Sequence, residues 1–233
     1  MSEIRVSDET TTYKAETLLE LLEVCLRFRP VEHVGGWIFR GQSDESWELL
    51  PKAGRSMAHT AKGNDWAVFS IWRRKAVAYS TLPSNELECL AIAQHHGLAT
   101  RLLDWSNNPL IAAFFACNAN SDTDGAVYAF FPTSNIDKEN FDEKAITEVR
   151  QYIPDSVSER IVGQSGRFTY HPDPREPISY REIGYPFIGQ QLKKIMIPFG
   201  AKTAIVNDLN ALNINEATIF PGLDGLSGYL NRL

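Results

Sequence analysis

The sequence predicts an α+β fold in which helices flank a mixed central sheet. Strand-like segments alternate with segments of helical periodicity, and several strands come late in the chain. Residues 125–132 (GAVYAFFP) are nearly all apolar, which is typical of a central strand. With 233 residues, 43% of them hydrophobic, the chain can bury its own core. We expect residues 1–35 to form an N-terminal helical segment and residues 36–233 to form one α+β domain.

The segment 88–117 has the clearest local structure. Ser84 or Asn85 can cap a helix that Gly97 ends with positive φ. A strand over 100–104 follows, and the next helix begins at Pro109, where a missing N–H costs nothing. The expected unit is therefore helix, turn, strand, tight turn, helix, with Asn107 or Asn108 as the second cap.

The other elements follow from periodicity and from breakers such as Pro30. Before the central unit we expect a helix from Thr11 or Thr12 to Arg29, a short strand over 37–40 and a helix over 65–79. After it we expect a strand over 125–132, a helix over 139–152, a strand over 159–169, an irregular loop over 170–188, a strand over 193–198 and helices over 200–212 and 225–233.

The overall composition narrows the classes of function. A net charge of −6 argues against a broad surface for duplex DNA, but it permits a local basic site. The three cysteines, Cys25, Cys89 and Cys117, lie in apolar helical patterns, as buried thiols of a reducing compartment do. The N-terminus does not resemble a signal peptide, and no apolar run is long enough for a membrane span. We therefore expect a cytoplasmic protein without a membrane partner.

Arg40 is the first candidate for ligand binding. A guanidinium at a strand end, beside Gly41, suits a phosphate or a carboxylate because the glycine lets a ligand approach. The alternative is a structural ion pair with Asp104 or a glutamate.

Two adjacent histidines, His95 and His96, end the first helix of the central unit. On a helix their side chains point about 100° apart, so one can face a cleft. The i, i+4 spacing of helical zinc ligands is absent, so we expect no metal. The alternative is a histidine that satisfies a carbonyl at the helix end.

Asp104, Trp105 and Ser106 form a second group of candidates. Asp104 can bind an arginine or a ligand hydroxyl, and Trp105 offers a stacking face for a ring. The tight turn places Trp105 and Ser106 just before a helix N-terminus, which attracts anions. The alternatives are core packing for Trp105 and helix capping for Ser106.

The expected site has further members on the same segment and later in the chain. Gln94, His96 and Arg101 complete the expected ligand-binding set on the 94–106 segment. Gln164 lies between two glycines on an expected strand, and Asp224 lies in FPGLDGL. For both residues the alternative is turn architecture.

Several motifs resemble those of the FRG-domain family, named for a Phe/Tyr-Arg-Gly motif. They are Phe39-Arg40-Gly41, QHHGLATRLLDWSNNPLIAAFFA, RIVGQSGRF and TIFPGLDGL. Together they span roughly residues 36–225. The resemblance indicates the family but implies little chemistry.

A weaker resemblance concerns the layout of the ADP-ribosyltransferase superfamily, in which an Arg and a Ser hold NAD. Arg40 and Ser106 match in type and order. The superfamily's later glutamate has no convincing match. Gln164 lies on an expected strand but is not an acid, and the acids Glu159, Glu182 and Glu216 lie in other contexts.

Three hypotheses about function follow. The first is an NAD-using ADP-ribosyltransferase-like or NAD-cleaving enzyme, a microbial toxin or defence effector, with His95, Asp104 and Gln164 in catalysis and a protein or nucleic acid as acceptor. The second is a non-catalytic module that senses a nucleotide or another phosphorylated ligand. The third is a metal-assisted hydrolase or nuclease that uses His95, His96, Asp104 and Glu88. All three place Arg40 beside the 94–106 segment.

Overall fold

The structure is a computed structural model that describes residues 3–5, 11–28, 36–55, 64–119, 122–155, 163–178 and 191–232. These residues form an α+β fold, as the sequence predicts, around an eight-stranded sheet. The strands are β1 (Glu3–Arg5), β2 (Thr11–Lys14), β3 (Ile38–Gln42), β4 (Leu102–Ser106), β5 (Gly125–Phe131), β6 (Arg150–Tyr152), β7 (Gly166–Tyr170) and β8 (Gln191–Ile197). The helices are α1 (Leu18–Cys25), α2 (Lys52–Arg55), α3 (Asn64–Ala76), α4 (Glu86–His95), α5 (Pro109–Cys117), α6 (Phe199–Ala211), α7 (Glu216–Ile219) and α8 (Leu223–Leu230).

The sheet is mixed, with the strand order β1-β2-β8-β5-β3-β4-β7-β6. Strands β2 and β8 pair in parallel, and the other neighbouring strands pair antiparallel. Strand β5 lies between β8 and β3, which confirms the central position predicted from its apolar sequence.

Strands β3 and β4 diverge almost as soon as they meet. They share one pair, Phe39 opposite Ser106. From there β3 follows β5 over five residues, whereas β4 follows β7 over five residues. The sheet therefore opens between β3 and β4, and the edges of the opening carry Arg40 and Asp104.

The sheet is buried in three apolar clusters, two of which include helices. Helices α1, α5 and α6 pack on β3, β5 and β8 through Phe39, Val127 and Ile195. Helices α3 and α4 pack on β4, β6 and β7. A third cluster contains Ile38 and Tyr128, which alternate with the first set along β3 and β5 and so lie on the opposite face.

The two helices of the central unit and the strand between them are confirmed. Asn85 caps α4, Gly97 follows it with φ of +89°, and Asn108 caps α5 with Pro109 in its first turn. Cys25, Cys89 and Cys117 are buried free thiols. Among the described residues, no helix combines the length and apolar character needed to span a bilayer.

The expected N-terminal helix is wrong in its first half. Residues 11–14 form β2 instead, because their backbone pairs with β8. The helix proper begins after Thr17, whose side chain caps it. The N-terminal region therefore contributes two strands, β1 and β2, to the same sheet as the rest of the chain. Arg29 and Pro30 lie outside the described residues.

Three further segments differ from the prediction made from the sequence. The helix expected over 139–152 is a 3₁₀ turn (Glu143–Ala145) followed by β6, which pairs with β7. Strand β4 lies two residues later than expected and so includes Trp105 and Ser106. The strand expected over 159–169 begins only at Gly166, which places Gln164 in the preceding turn, and residues 159–162 lie outside the described part.

Candidate functional site

A cavity of about 320 Å³ occupies the opening between β3 and β4. Strands β3, β4 and β7, helices α2, α4 and α5 and the turn before β7 all contribute to its lining. Arg40, Gly41, Gln94, His95, Asp104, Trp105, Ser106 and Gln164, all candidates from the sequence, line it. Arg101 and His96 are not among its lining residues.

Arg40 bridges the opening. Its Nη1 donates a 2.7 Å hydrogen bond to the backbone carbonyl of Asp104, and its Nε donates to Oε1 of Gln42 at 3.4 Å. The carboxylate of Asp104 lies 3.9 Å from the same Nη1. Burial lowers the pKa of Arg40, the Asp104 carboxylate opposes this, and the positive charge of Arg55 adds to it. The structure thus brings Arg40 and the 94–106 segment together.

Asp104 is held by a short hydrogen-bonded chain. Thr100 donates to Oε1 of Gln94, and Nε2 of Gln94 donates to Oδ1 of Asp104 at 2.7 Å. The Asp104 side chain is 61% exposed, so its carboxylate faces the solvent-filled opening. Gln94 therefore orients a carboxylate that a ligand can reach.

The cavity is strongly cationic. Arg40, Lys52, Arg55 and Arg167 line it, whereas Asp104 is the one carboxylate among the described lining residues. Burial lowers the pKa of Arg167, as it does that of Arg40, because a charged guanidinium is less stable away from water. In a chain of net charge −6, this local excess of positive charge suits an anionic ligand.

Sequence reasoning missed Lys52, Arg55 and Arg167. Lys52 and Arg55 lie on the four-residue helix α2, and Lys52 donates to the carbonyl of Gly97 at 2.8 Å. Arg167 pairs with Trp105 across β4 and β7. Arg167 could have been proposed from the sequence, because it lies beside Gly166 in the motif RIVGQSGRF. No local pattern indicated that α2 would lie at the same cavity.

Ser106 and Gln164 join two edges of the cavity. The hydroxyl of Ser106 donates to the backbone carbonyl of Gln164 at 2.7 Å and accepts from the backbone N–H of Asn108. The amide of Gln164 donates to the carbonyl of Ile219 at 3.4 Å. The Ser106 hydroxyl therefore stabilises the turn before α5, whereas Asn108 is the cap of that helix, and Gln164 lies in the turn before β7.

Trp105 occupies the core. Its side chain is 3% exposed, its ring centroid lies 5.4 Å from that of Phe130, and its Nε1 donates to Thr169 at 2.9 Å. The expected stacking face is therefore covered by protein, because Trp105 lies within the strand and not in the turn after it.

Gly41 is needed for packing. A Cβ at this position would lie 1.9 Å from the carbonyl oxygen of Ala112 on α5. The glycine allows helix α5 to approach β3, whereas the sequence suggested that it allowed a ligand to approach. Its backbone still lies at the cavity.

The side chains of His95 and His96 point in different directions, as expected for adjacent residues at the end of a helix. Both are exposed, but His95 lines the cavity whereas His96 caps the end of α4 outside it. Glu88, the carboxylate of the metal-assisted hypothesis, is buried and accepts from the backbone N–H of Asp155. Across the described part of the chain, no three His, Cys, Asp or Glu residues are grouped to hold a metal.

Arg101 lies in the core. It is 2% exposed, and its Nε and Nη2 donate to both oxygens of Asp65 at 2.7 and 2.9 Å. Its guanidinium also lies over the rings of Trp66 and Tyr170. Arg101 therefore forms a buried ion pair with Asp65 and does not line the cavity in which it was expected to bind a ligand.

Among the described residues, no glutamate lines the cavity. Glu216 pairs with Arg232 at 3.2 Å, and Asp224 is exposed in the first turn of α8. Glu159 and Glu182 lie outside the described residues.

Residues 35–125 match the family model of the FRG domain. This part of the chain is therefore an FRG domain, as its motifs predict, and it carries Arg40, α2 and the 94–106 segment. Gln164 and Arg167 lie beyond the matched residues. No curated protein and no solved structure matches the chain.

Proposed function

We propose that this FRG-domain protein binds a phosphorylated small molecule of the nucleotide class in the cavity at Arg40, with NAD as the first candidate. The observation that carries the proposal is the charge of the cavity: four cationic side chains and one carboxylate line a volume of about 320 Å³. A space of this size suits a small-molecule ligand. Guanidinium groups are well matched to phosphate oxygens in both charge and geometry.

The position of Arg40 supports the same conclusion. Its hydrogen bonds to Gln42 and Asp104 fix the guanidinium at the opening of the sheet, so little side-chain freedom is lost when an anion binds. A phosphate would also relieve the repulsion between Arg40 and Arg55, which contributes to the lowered pKa of Arg40.

Cleavage of NAD is a second candidate, and one observation favours it. Asp104 presents an oriented, exposed carboxylate within the same cationic cavity. In this reaction the bond between nicotinamide and ribose C1′ breaks, and both electrons leave on nicotinamide. Water then forms the new C1′–O bond and releases a proton. Asp104 would stabilise the positive charge on the ribose as the bond breaks.

Transfer of ADP-ribose to a protein or nucleic acid would follow if an acceptor hydroxyl, amine or carboxylate replaced water. ADP-ribosyltransferase-like activity depends on this step, whereas a toxin or defence role in a microbe fits either transfer or cleavage. Asp104 would then act in place of the superfamily's glutamate, since no glutamate lines the described part of the cavity. If NAD is bound but not cleaved, the protein is a sensor of the ligand.

The test combines binding with turnover. Calorimetric titration with NAD and ADP-ribose should show binding to wild type and at least tenfold weaker binding to Arg40→Ala. Arg74→Ala is the matched control, because Arg74 is exposed on α3 and does not line the cavity. Failure of both ligands to bind wild type, with metal-free buffer and with added Mg²⁺, would contradict the proposal.

Nicotinamide release separates the two candidates. Release by wild type that is lost in a folded Asp104→Asn, with ADP-ribose still bound, supports cleavage at Asp104. Binding without release by wild type supports the sensor.

A further inference from the structure

A smaller recess of about 220 Å³ adjoins the Arg40 cavity. Trp47, Glu48, Leu50 and Arg55 line this recess, and Arg55 also lines the main cavity. Arg55 is therefore common to the main cavity and to the recess that Trp47 lines.

The indole of Trp47 is 45% exposed, whereas that of Trp105 is 3% exposed. A single exposed aromatic side chain is common on protein surfaces, but Trp47 lines a recess that shares Arg55 with a cationic cavity. An aromatic face beside a cationic cavity is the arrangement that binds the base of a nucleotide, because bases stack on aromatic side chains.

The loop that carries Trp47 is anchored on both sides. Lys194 donates to the carbonyl of Glu45 at 3.1 Å and pairs with its carboxylate at 2.5 Å. Beyond Trp47, Leu49 is buried and its carbonyl accepts from the N–H of Ile178. The exposure of Trp47 is thus a property of an ordered loop, so stacking costs little additional ordering.

Trp47 is also tied to the main cavity through Gln42. Nε2 of Gln42 donates to the carbonyl of Trp47 at 2.8 Å, and Oε1 of the same side chain accepts from Arg40. One buried amide therefore connects the Arg40 guanidinium to the backbone of Trp47.

Glu48 indicates which part of a ligand enters the recess. Its carboxylate repels phosphate but can accept a hydrogen bond from an exocyclic amine or a ribose hydroxyl. The recess therefore favours the uncharged end of a nucleotide, and the main cavity favours its phosphates.

We propose that Trp47 is the base-stacking residue of the ligand site, with Arg55 between base and phosphate, so that the ligand is a nucleotide with an aromatic base. This inference rests on the proposed phosphate binding at Arg40. It replaces Trp105, which the sequence suggested as the stacking residue, with an exposed tryptophan on another loop.

The test compares ADP with ribose 5-diphosphate, which has the same sugar and phosphates but no base. We expect wild type to bind ADP at least tenfold more tightly, since stacking of one base on an aromatic side chain is worth on the order of tenfold or more in affinity. Trp47→Ala should bind both ligands equally weakly, and Trp47→Phe should keep part of the preference for ADP. Tyr79→Ala is the matched control, because Tyr79 is 90% exposed and does not line either cavity.

Each outcome is decisive. Equal binding of the two ligands by wild type, or an unchanged ADP preference in Trp47→Ala, would overturn the role of Trp47 and leave phosphate binding intact. Binding of neither ligand by wild type would overturn the proposed function and this inference with it. Quenching of tryptophan fluorescence by ADP, lost in Trp47→Phe, provides an independent readout of stacking.

Discussion

The guanidinium of Arg40 donates a 2.7 Å hydrogen bond to the backbone carbonyl of Asp104, across the point where β3 and β4 cease to pair. The side chain thus provides a connection where the strands no longer pair directly. The same contact holds a cation at the opening of the sheet, and it predicts that Arg40 contributes to both stability and binding.

Replacing Arg40 by lysine should separate these two contributions. Lysine keeps the charge but lacks the planar fork that joins Gln42 and Asp104. We expect the free energy of unfolding to fall by about 1–3 kcal/mol, with anion binding weakened but present. Urea unfolding and calorimetry measure the two effects. Arg74→Lys is the control, and equal stability of Arg40→Lys and wild type would refute the bridging role.

Removing one partner of the buried Arg101–Asp65 pair should be strongly destabilising. Arg101→Ala leaves the buried Asp65 carboxylate without its partner, so we expect a loss of about 3–5 kcal/mol in urea unfolding. The double variant Arg101→Met, Asp65→Leu should lose much less, because no buried charge remains. Arg73→Ala, which removes a partly exposed pair with Glu86, should cost about 1 kcal/mol or less. Similar losses for Arg101→Ala and Arg73→Ala would argue against the assignment.

Two glycines offer a matched test of packing. A methyl group at Gly41 would overlap the Ala112 carbonyl oxygen at 1.9 Å, so Gly41→Ala should destabilise the protein by about 1–3 kcal/mol or more. Gly200, on α6, has no atom within 4 Å of an added Cβ, so Gly200→Ala should stabilise by about 0.5–1 kcal/mol. Thermal unfolding of both variants measures the difference. A harmless Gly41→Ala would show that α5 can move away from β3.

His171 should make stability depend on pH. It is fully buried, and burial lowers its pKa to about 3 from an ordinary value of 6.5, with Arg40 and Arg101 adding to the effect. Below pH 6.5 the unfolded chain binds a proton at this residue that the folded protein excludes. The stability present above pH 6.5 should therefore fall as the pH is lowered, with a slope approaching about 1.4 kcal/mol per pH unit between pH 6 and 5.

Urea unfolding at several pH values measures this slope. His171→Gln should lose it, whereas His96→Gln should retain it because His96 is exposed. A slope that persists unchanged in His171→Gln would assign the pH dependence to other groups.

The local elements of the central unit could be predicted because their signals are local. Asn85, Gly97 and Pro109 each act within one turn of helix, so caps and breakers fixed α4 and α5 without knowledge of the rest of the fold. The apolar run of β5 likewise predicted its central place in the sheet. The same local reading failed for residues 11–14 and 150–152, because their backbones pair with β8 and β7, and no residue within either segment specifies that partner.

The sequence by itself determined the α+β class, the FRG motifs and the candidate pairing of Arg40 with the 94–106 segment. Tertiary structure alone decided which polar side chains reach the opening of the sheet. It placed Arg101 and Trp105 in the core, and it brought Lys52, Arg55 and Arg167 to the cavity. The physical reason is that residue type specifies what a side chain can bind, whereas burial and strand pairing specify what it meets. Burial and strand pairing depend on contacts between distant parts of the chain.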